Sequence, residues 1–142
     1  MIEIEVNNRT GCRVPLKKIQ TLLDRANTQL AARRKQRLSL AFVGVKTMHG
    51  LNRVYRKKDR LTDVLSFGQA AGFLGDDTIG EIIVCPAVAR AQAREFAHSF
   101  DDEIIKLVLH GYLHLLGFDH EGSKAAGRME RLENKILTQF YG

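Results

Sequence analysis

Apolar residues recur along this chain with two different periods, and the alternation between those periods lays out its elements. Residues 3–7 alternate apolar and polar as a strand does. From about Leu16 to Ala32 the period lengthens, and Ile19, Leu22, Leu23, Ala26 and Leu30 fall on one helical face. Residues 38–45 alternate around Leu40 and Phe42 and are rich in strand formers. Thr47 then reads as the cap of a short helix with Met48, Leu51, Val54 and Tyr55 on one face. Val64 to Phe67 makes a short strand. A loop of about ten residues follows, holding Gly68, Gly72, Gly75, Asp76 and Asp77, a length often found in binding loops.

Thr78 to Cys85 supplies a fourth strand, and Pro86 suits the first turn of a helix running to about Ala97, with Val88, Ala91 and Phe96 inward. Ser99 caps the next helix, whose positive N-terminal end is favoured by Asp101, Asp102 and Glu103. A last amphipathic helix carries Ala125, Met129, Leu132, Ile136 and Phe140. No repeat or Pro/Gly-rich linker interrupts this order, βαβαββααα. It predicts one domain over residues 1–142, of α/β (α+β) class, with a small mixed four-stranded sheet packed with about five helices.

Composition narrows the class. The 142 residues, 44% hydrophobic and 27% charged, suit a soluble globular protein. No apolar run is long enough for a bilayer, and the N-terminus lacks the pattern of a signal peptide. Cys12 and Cys85 have no partner at metal-ligand spacing and fit reduced thiols, so a cytoplasmic enzyme without a membrane partner is expected. A net charge of +6 points to a polyanionic partner. The charge is clustered. Arg33, Arg34, Lys35 and Arg37 form one knot, which reads equally well as solvated surface. Arg53, Arg56, Lys57, Lys58 and Arg60 form another, with Asp59, and lead into the polar-apolar string 61–67. That context reads as a site.

Three of the five histidines fall within eleven residues, in His110-Gly-Tyr-Leu-His114-Leu-Leu-Gly117-Phe-Asp119-His120. The first two lie four apart and project from one helical face. Gly117 can take positive φ, end the helix and swing His120 back toward the pair. Ile104, Ile105, Leu107, Val108, Leu109, Leu113, Leu115 and Leu116 make the segment apolar nearly all round, so the helix is expected to be buried. Buried unpaired imidazoles cost a few kcal/mol, and a metal would satisfy them. Three imidazoles without a fourth protein ligand describe one zinc ion with an open position; nickel, cobalt or copper also suit such donors.

With these pieces placed, the sequence resembles the YbeY family of metal-dependent endoribonucleases. One motif is the histidine run at 110–120, similar to the family's His-Gly-x-x-His-Leu-x-Gly-Tyr-Asp-His. The other is Leu51-Asn-Arg-Val-Tyr-Arg-Lys-Lys-Asp-Arg-Leu-Thr-Asp-Val-Leu-Ser-Phe67, similar to Leu-Asn-x-x-Tyr-Arg-x-Lys-Asp-x-x-Thr-Asp-Val-Leu-Ser-Phe-Pro. Gly80-Glu81 stands where the family has a Gly-Asp-Ile-type strand, and the element order agrees over nearly the whole chain. The resemblance implies zinc on His110, His114 and His120, and cleavage of single-stranded RNA. It also implies a role in ribosomal RNA maturation and ribosome quality control, with ribosomal RNA and ribosomal subunits as partners and no DNA. Arg56 matches the family's functionally important arginine. Gly68 and Leu61 stand where relatives carry proline, which bears on loop shape and touches no ligand.

Two other functions compete. The histidine spacing is also metzincin-like, but those proteases place a glutamate general base beside the first histidine, where this chain has Gly111. That demotes a metalloprotease. A ribosome-associated assembly or binding protein with a structural metal remains, because the run contains no general base. For RNA cleavage, Arg56 offers a planar, permanently charged fork to a phosphodiester, or else bonds carbonyls at a helix end. Arg53, Lys57 and Lys58 are candidates for flanking phosphates. Asp63 or Asp119 could orient a ligating histidine. Tyr55 and Phe73 are candidates for stacking on bases, with Tyr55 reading more as a core residue.

Overall fold

Four strands of alternating residues pair into one mixed sheet, and helices cover both of its faces. The structure, a computed structural model, describes residues 2–30, 36–58, 60–68, 78–118 and 122–142. Among these the chain runs β1 (Ile2–Asn8), α1 (Leu16–Gln29), β2 (Gln36–Phe42), α2 (Val45–Tyr55), β3 (Val64–Gly68) and β4 (Thr78–Val84). Then come α3 (Pro86–Glu95), α4 (Phe100–Leu115) and α5 (Ser123–Tyr141). The strand order is β1-β2-β4-β3, with β1, β2 and β4 parallel and β3 antiparallel to β4. This is the α+β architecture that the element order predicts. Gly68, expected in the loop, closes β3; the rest of the glycine-rich loop, residues 69–77 with Phe73, lies outside the described residues, as do Arg33, Arg34, Lys35, Asp59, Asp119 and His120.

The period of two along the central strands builds two cores. Leu38, Leu40 and Phe42 of β2, with Ile82 and Val84 of β4, face the main core shared with α1, α4 and α5. Ala41, Val43, Ile83, Cys85 and Leu65 face the smaller one, under Met48 of α2. A strand buried on both faces loses its polar alternation, and the C-terminal halves of β2 (Leu40, Ala41, Phe42) and β4 (Ile82, Ile83, Val84) are apolar without a break for that reason.

Helix α4 packs against α1, α3, α5, β3 and β4. Ile104, Ile105, Val108, Leu109, Tyr112 and Leu113 are fully buried along it, each such apolar side chain worth about 1.5–3 kcal/mol. Two glycines let the helix come this close to the sheet. A Cβ on Gly111 would lie 3.0 Å from Ile82 Cγ2, and one on Gly80 would lie 2.4 Å from Leu115 Cδ2 and 2.8 Å from the Phe67 carbonyl oxygen. Both helix ends are capped as the sequence leads one to expect. Ser99 Oγ accepts from the Asp102 N–H at 3.0 Å, with acidic residues in the first turn. At the other end Gly117 takes φ +98°, its N–H donating to the His114 carbonyl and the Phe118 N–H to that of Leu113. This is a Schellman closure.

Several boundaries and faces differ from the periodic reading. Helix α1 ends at Gln29, with the Leu30 N–H donating to the Ala26 carbonyl. Strand β2 starts at Gln36 and stops at Phe42, because extended Gly44 caps α2 and the helix has already begun at Val45. Thr47 is therefore inside the first turn and not the cap. The resulting phase buries Met48 and Asn52 and leaves Val54 and Tyr55 exposed, so Tyr55 is not a core residue. On α3 the buried residues are Pro86, Ala89 and Ala93, whereas Ala91 and Phe96 face solvent. Small side chains let α3 lie close to α4, and Phe96 falls beyond its last turn. The stripe on α5 is as expected, with Met129 and Ile136 buried and Leu132 and Phe140 half-buried. Among the described residues no helix is long and apolar enough to cross a membrane.

Candidate functional site

Because α4 is clamped on both sides, its last turns hold two imidazoles in a fixed relation. His110 and His114 are half-buried, with ring centroids 4.7 Å apart, planes at 77° and Nε2 atoms 3.1 Å apart. On the far side of its ring, His110 Nδ1 hydrogen-bonds the Glu133 carboxylate of α5. A neutral imidazole that donates through Nδ1 presents a lone pair at Nε2. Two nitrogens bound at 2.0–2.1 Å to one tetrahedral ion stand about 3.3 Å apart. The observed pair fits that donor geometry. Among the described residues no third His, Cys, Asp or Glu joins the two as a ligand. His120 and Asp119 lie just past the Gly117 turn, outside the described residues.

The pair opens into a cleft of about 420 Å³, and here the structure joins the two halves of the sequence reading. Arg56, Lys58 and Arg60 line it from the segment after α2, Asp63 and Ser66 from β3 and its approach, and Lys106 from α4. Four cationic side chains face two carboxylates, Asp63 and Glu103, so the lining favours an anion. Arg53 and Lys57 are exposed but do not line the cleft. Asp63 lines it without bonding a histidine: its carboxylate accepts from the Val64 N–H at 2.8 Å, Gln92 Nε2 at 3.2 Å and Thr62 Oγ1 at 3.4 Å. It ties β3 to α3, and among the described residues the carboxylate that bonds His110 is Glu133.

Three further groups shape the site, and periodicity alone did not single them out. Buried Asn52 holds the basic segment, its carbonyl accepting from the N–H groups of Arg56 (3.0 Å) and Lys58 (3.2 Å). Its Nδ2 donates to the Arg60 carbonyl at 2.8 Å. A sequence signal existed: Asn52 follows Met48 by one helical turn, a polar residue on the buried stripe. Glu133 carries the same signal, four residues after Met129 and three before Ile136. Glu103, also buried, bonds His98 Nε2 and thereby fastens the α3–α4 turn to α4. A buried carboxylate requires such a partner.

A mixed sheet bearing one clamped helix, with paired imidazoles facing a cationic cleft, defines the class: an α+β domain that sets two histidines beside a cleft whose lining favours an anion. The family described as Endoribonuclease YbeY matches residues 4–141. An Endoribonuclease YbeY of Staphylococcus aureus (strain JH9) is 38% identical, over 99% of this chain and 97% of that one. One of Phytoplasma australiense is 34% identical over 98% and 96%, and one of Aquifex aeolicus 40% identical over 72% and 69%. The solution structure of TM1509 from Thermotoga maritima superposes with a TM-score of 0.65 at 30% identity, covering 100% of this chain and 90% of that one. The chain belongs to the endoribonuclease YbeY family.

Proposed function

We propose that this protein is a metal-dependent endoribonuclease that cuts single-stranded RNA in ribosomal RNA maturation and ribosome quality control. The observation that carries the reading is the Nε2 pair of His110 and His114, 3.1 Å apart at the wall of a cleft lined by Arg56, Lys58, Arg60 and Lys106. Family membership supports an RNA substrate. His110 and His114 would hold a zinc ion, with His120 as the third ligand by its place in the motif. When bound, such an ion supplies Lewis-acid polarisation of a phosphoryl oxygen. Glu133 fixes the ring and tautomer of His110. Arg56 sets a permanently charged fork at the phosphodiester, whose negative charge grows toward the transition state. Lys58, Arg60 and Lys106 neutralise the flanking phosphates.

His114→Ala is expected to abolish cleavage of an unstructured oligoribonucleotide and to lower bound metal, with the circular dichroism spectrum unchanged. A purified variant that cuts at the parental rate would sink the metal mechanism.

One observation favours a second reading, in which the metal is structural and the protein acts by binding ribosomal subunits. Gly111 has no side chain and packs against Ile82, so the position beside the first histidine offers no general base. On that reading His114→Ala still restores growth to a strain lacking the gene. On the nuclease reading it does not.

A further inference from the structure

The cleft has an aromatic lip that the cationic and histidine groups leave unexplained. Phe96 lines the cleft yet keeps 57% of its surface open. Helical phase does not force this exposure. Helix α3 closes just before it, with the Phe96 N–H donating to the Gln92 carbonyl at 2.9 Å and the His98 N–H to that of Ala93 at 3.0 Å. Between them Ala97 takes φ +57°, a left-handed conformation that glycine adopts far more readily. The strained turn is then bolted down by the hydrogen bond from His98 to buried Glu103. Strain held in place by surrounding structure clusters at ligand clamps. Here it fixes one phenyl ring at the edge of a cationic cleft. Lys106 Nζ stands over the ring, 5.5 Å from its centroid, and brings its charge to the same lip while Phe96 stays more than half exposed.

An open aromatic face beside closely spaced cations is the arrangement that receives a single-stranded nucleotide. The base lies on the ring, and the phosphates meet the charges. We propose that Phe96 is a base-stacking platform for a nucleotide flanking the one held over His110 and His114, with Lys106 taking the adjoining phosphate. This subsite deepens the RNA reading above and rests on it. Stacking is tolerant of base identity, because every base offers a π-face. The subsite therefore selects for unpaired bases rather than for a sequence. A paired base, stacked within its own helix, cannot lie on the ring.

The test compares binding of the full-length protein to two fluorescein-labelled probes by anisotropy. One is an unstructured oligoribonucleotide and the other the same ribose-phosphate chain without bases. Phe96→Ala and Phe96→Leu should each lose about tenfold in affinity for the first probe, as expected for the loss of one stacked base. Phe96→Trp should keep it, and all four proteins should bind the abasic chain alike. A leucine variant that binds the first probe as tightly as the parent overturns the platform, since leucine keeps the apolar bulk without the π-face. So does an equal loss on both probes, which would report a disturbed cleft. A parent protein that binds and cuts no RNA overturns the RNA reading itself, and the subsite with it. Parental cutting with no loss in Phe96→Ala removes the subsite alone.

Discussion

At His110 two neighbours act on opposite sides of one ring. Glu133 engages Nδ1 while Nε2 faces His114. A carboxylate in that position orients the ring and strengthens its remaining nitrogen as a ligand, an effect typically worth 10–100-fold in metal affinity. Glu133→Ala is expected to weaken zinc binding by about that factor, measured by competition with a chromophoric chelator. Affinity equal to the parent's would show that the contact is only packing. The histidine pair and Arg56 could be read from the chain because each belongs to a local pattern, a spacing of four or a cluster of charge. Glu133 could not be assigned to His110 that way. Twenty-three residues separate them, and only the packing of α5 on α4 brings them together. For the same reason Asp63 looked as good a candidate as Asp119, until its bonds to Val64 and Gln92 placed it with β3 and α3.

At the scale of elements, α4 is a platform whose height above the sheet is set by glycine. Gly80 and Gly111 are the points where helix and strand touch. Adding a methyl group at 80 must displace Leu115 and press on a carbonyl oxygen. At 111 it asks Ile82 to yield by only a few tenths of an ångström. Gly80→Ala should therefore cost about 1–3 kcal/mol of stability and Gly111→Ala less, both measured by urea unfolding. The reverse order would show that the α4–β4 contact does not set the helix position. Element types and order were legible because their periods are long and regular. Faces were less so, and α2 and α3 show why. On α2, the cap is Gly44, three residues before the expected Thr47, and the buried face carries Asn52 in place of Val54. On α3, the packing is through Ala89 and Ala93, so bulk was a poor guide to burial.

For the molecule as a whole, the main core holds a titratable group that registers folding. Tyr112 is fully buried, its hydroxyl donating to Gln36 Oε1 at 3.0 Å. Burial first, and then the charge of Asp24, push its phenol up from 10.0 to about 12. The unfolded chain therefore releases this proton first. Its contribution to stability is complete below about pH 10 and is lost as pH rises toward 12. Tyr112→Phe should flatten part of the alkaline decline in unfolding free energy. A decline of the same steepness would assign it elsewhere. Tyr141, raised by burial and by its hydrogen bond to Asp102, is the natural source of the remainder. A last consequence lies in the backbone around the cleft. Lys57 and Ala97 both adopt left-handed conformations, at φ +56° and +57°, in the segments that carry Lys58 and Phe96. Glycine would relax either turn, at the cost of a looser chain. A glycine at either position would leave stability nearly unchanged, since relief of the left-handed strain is offset by the entropy of a freer chain, while it loosens the backbone that holds Lys58 or Phe96.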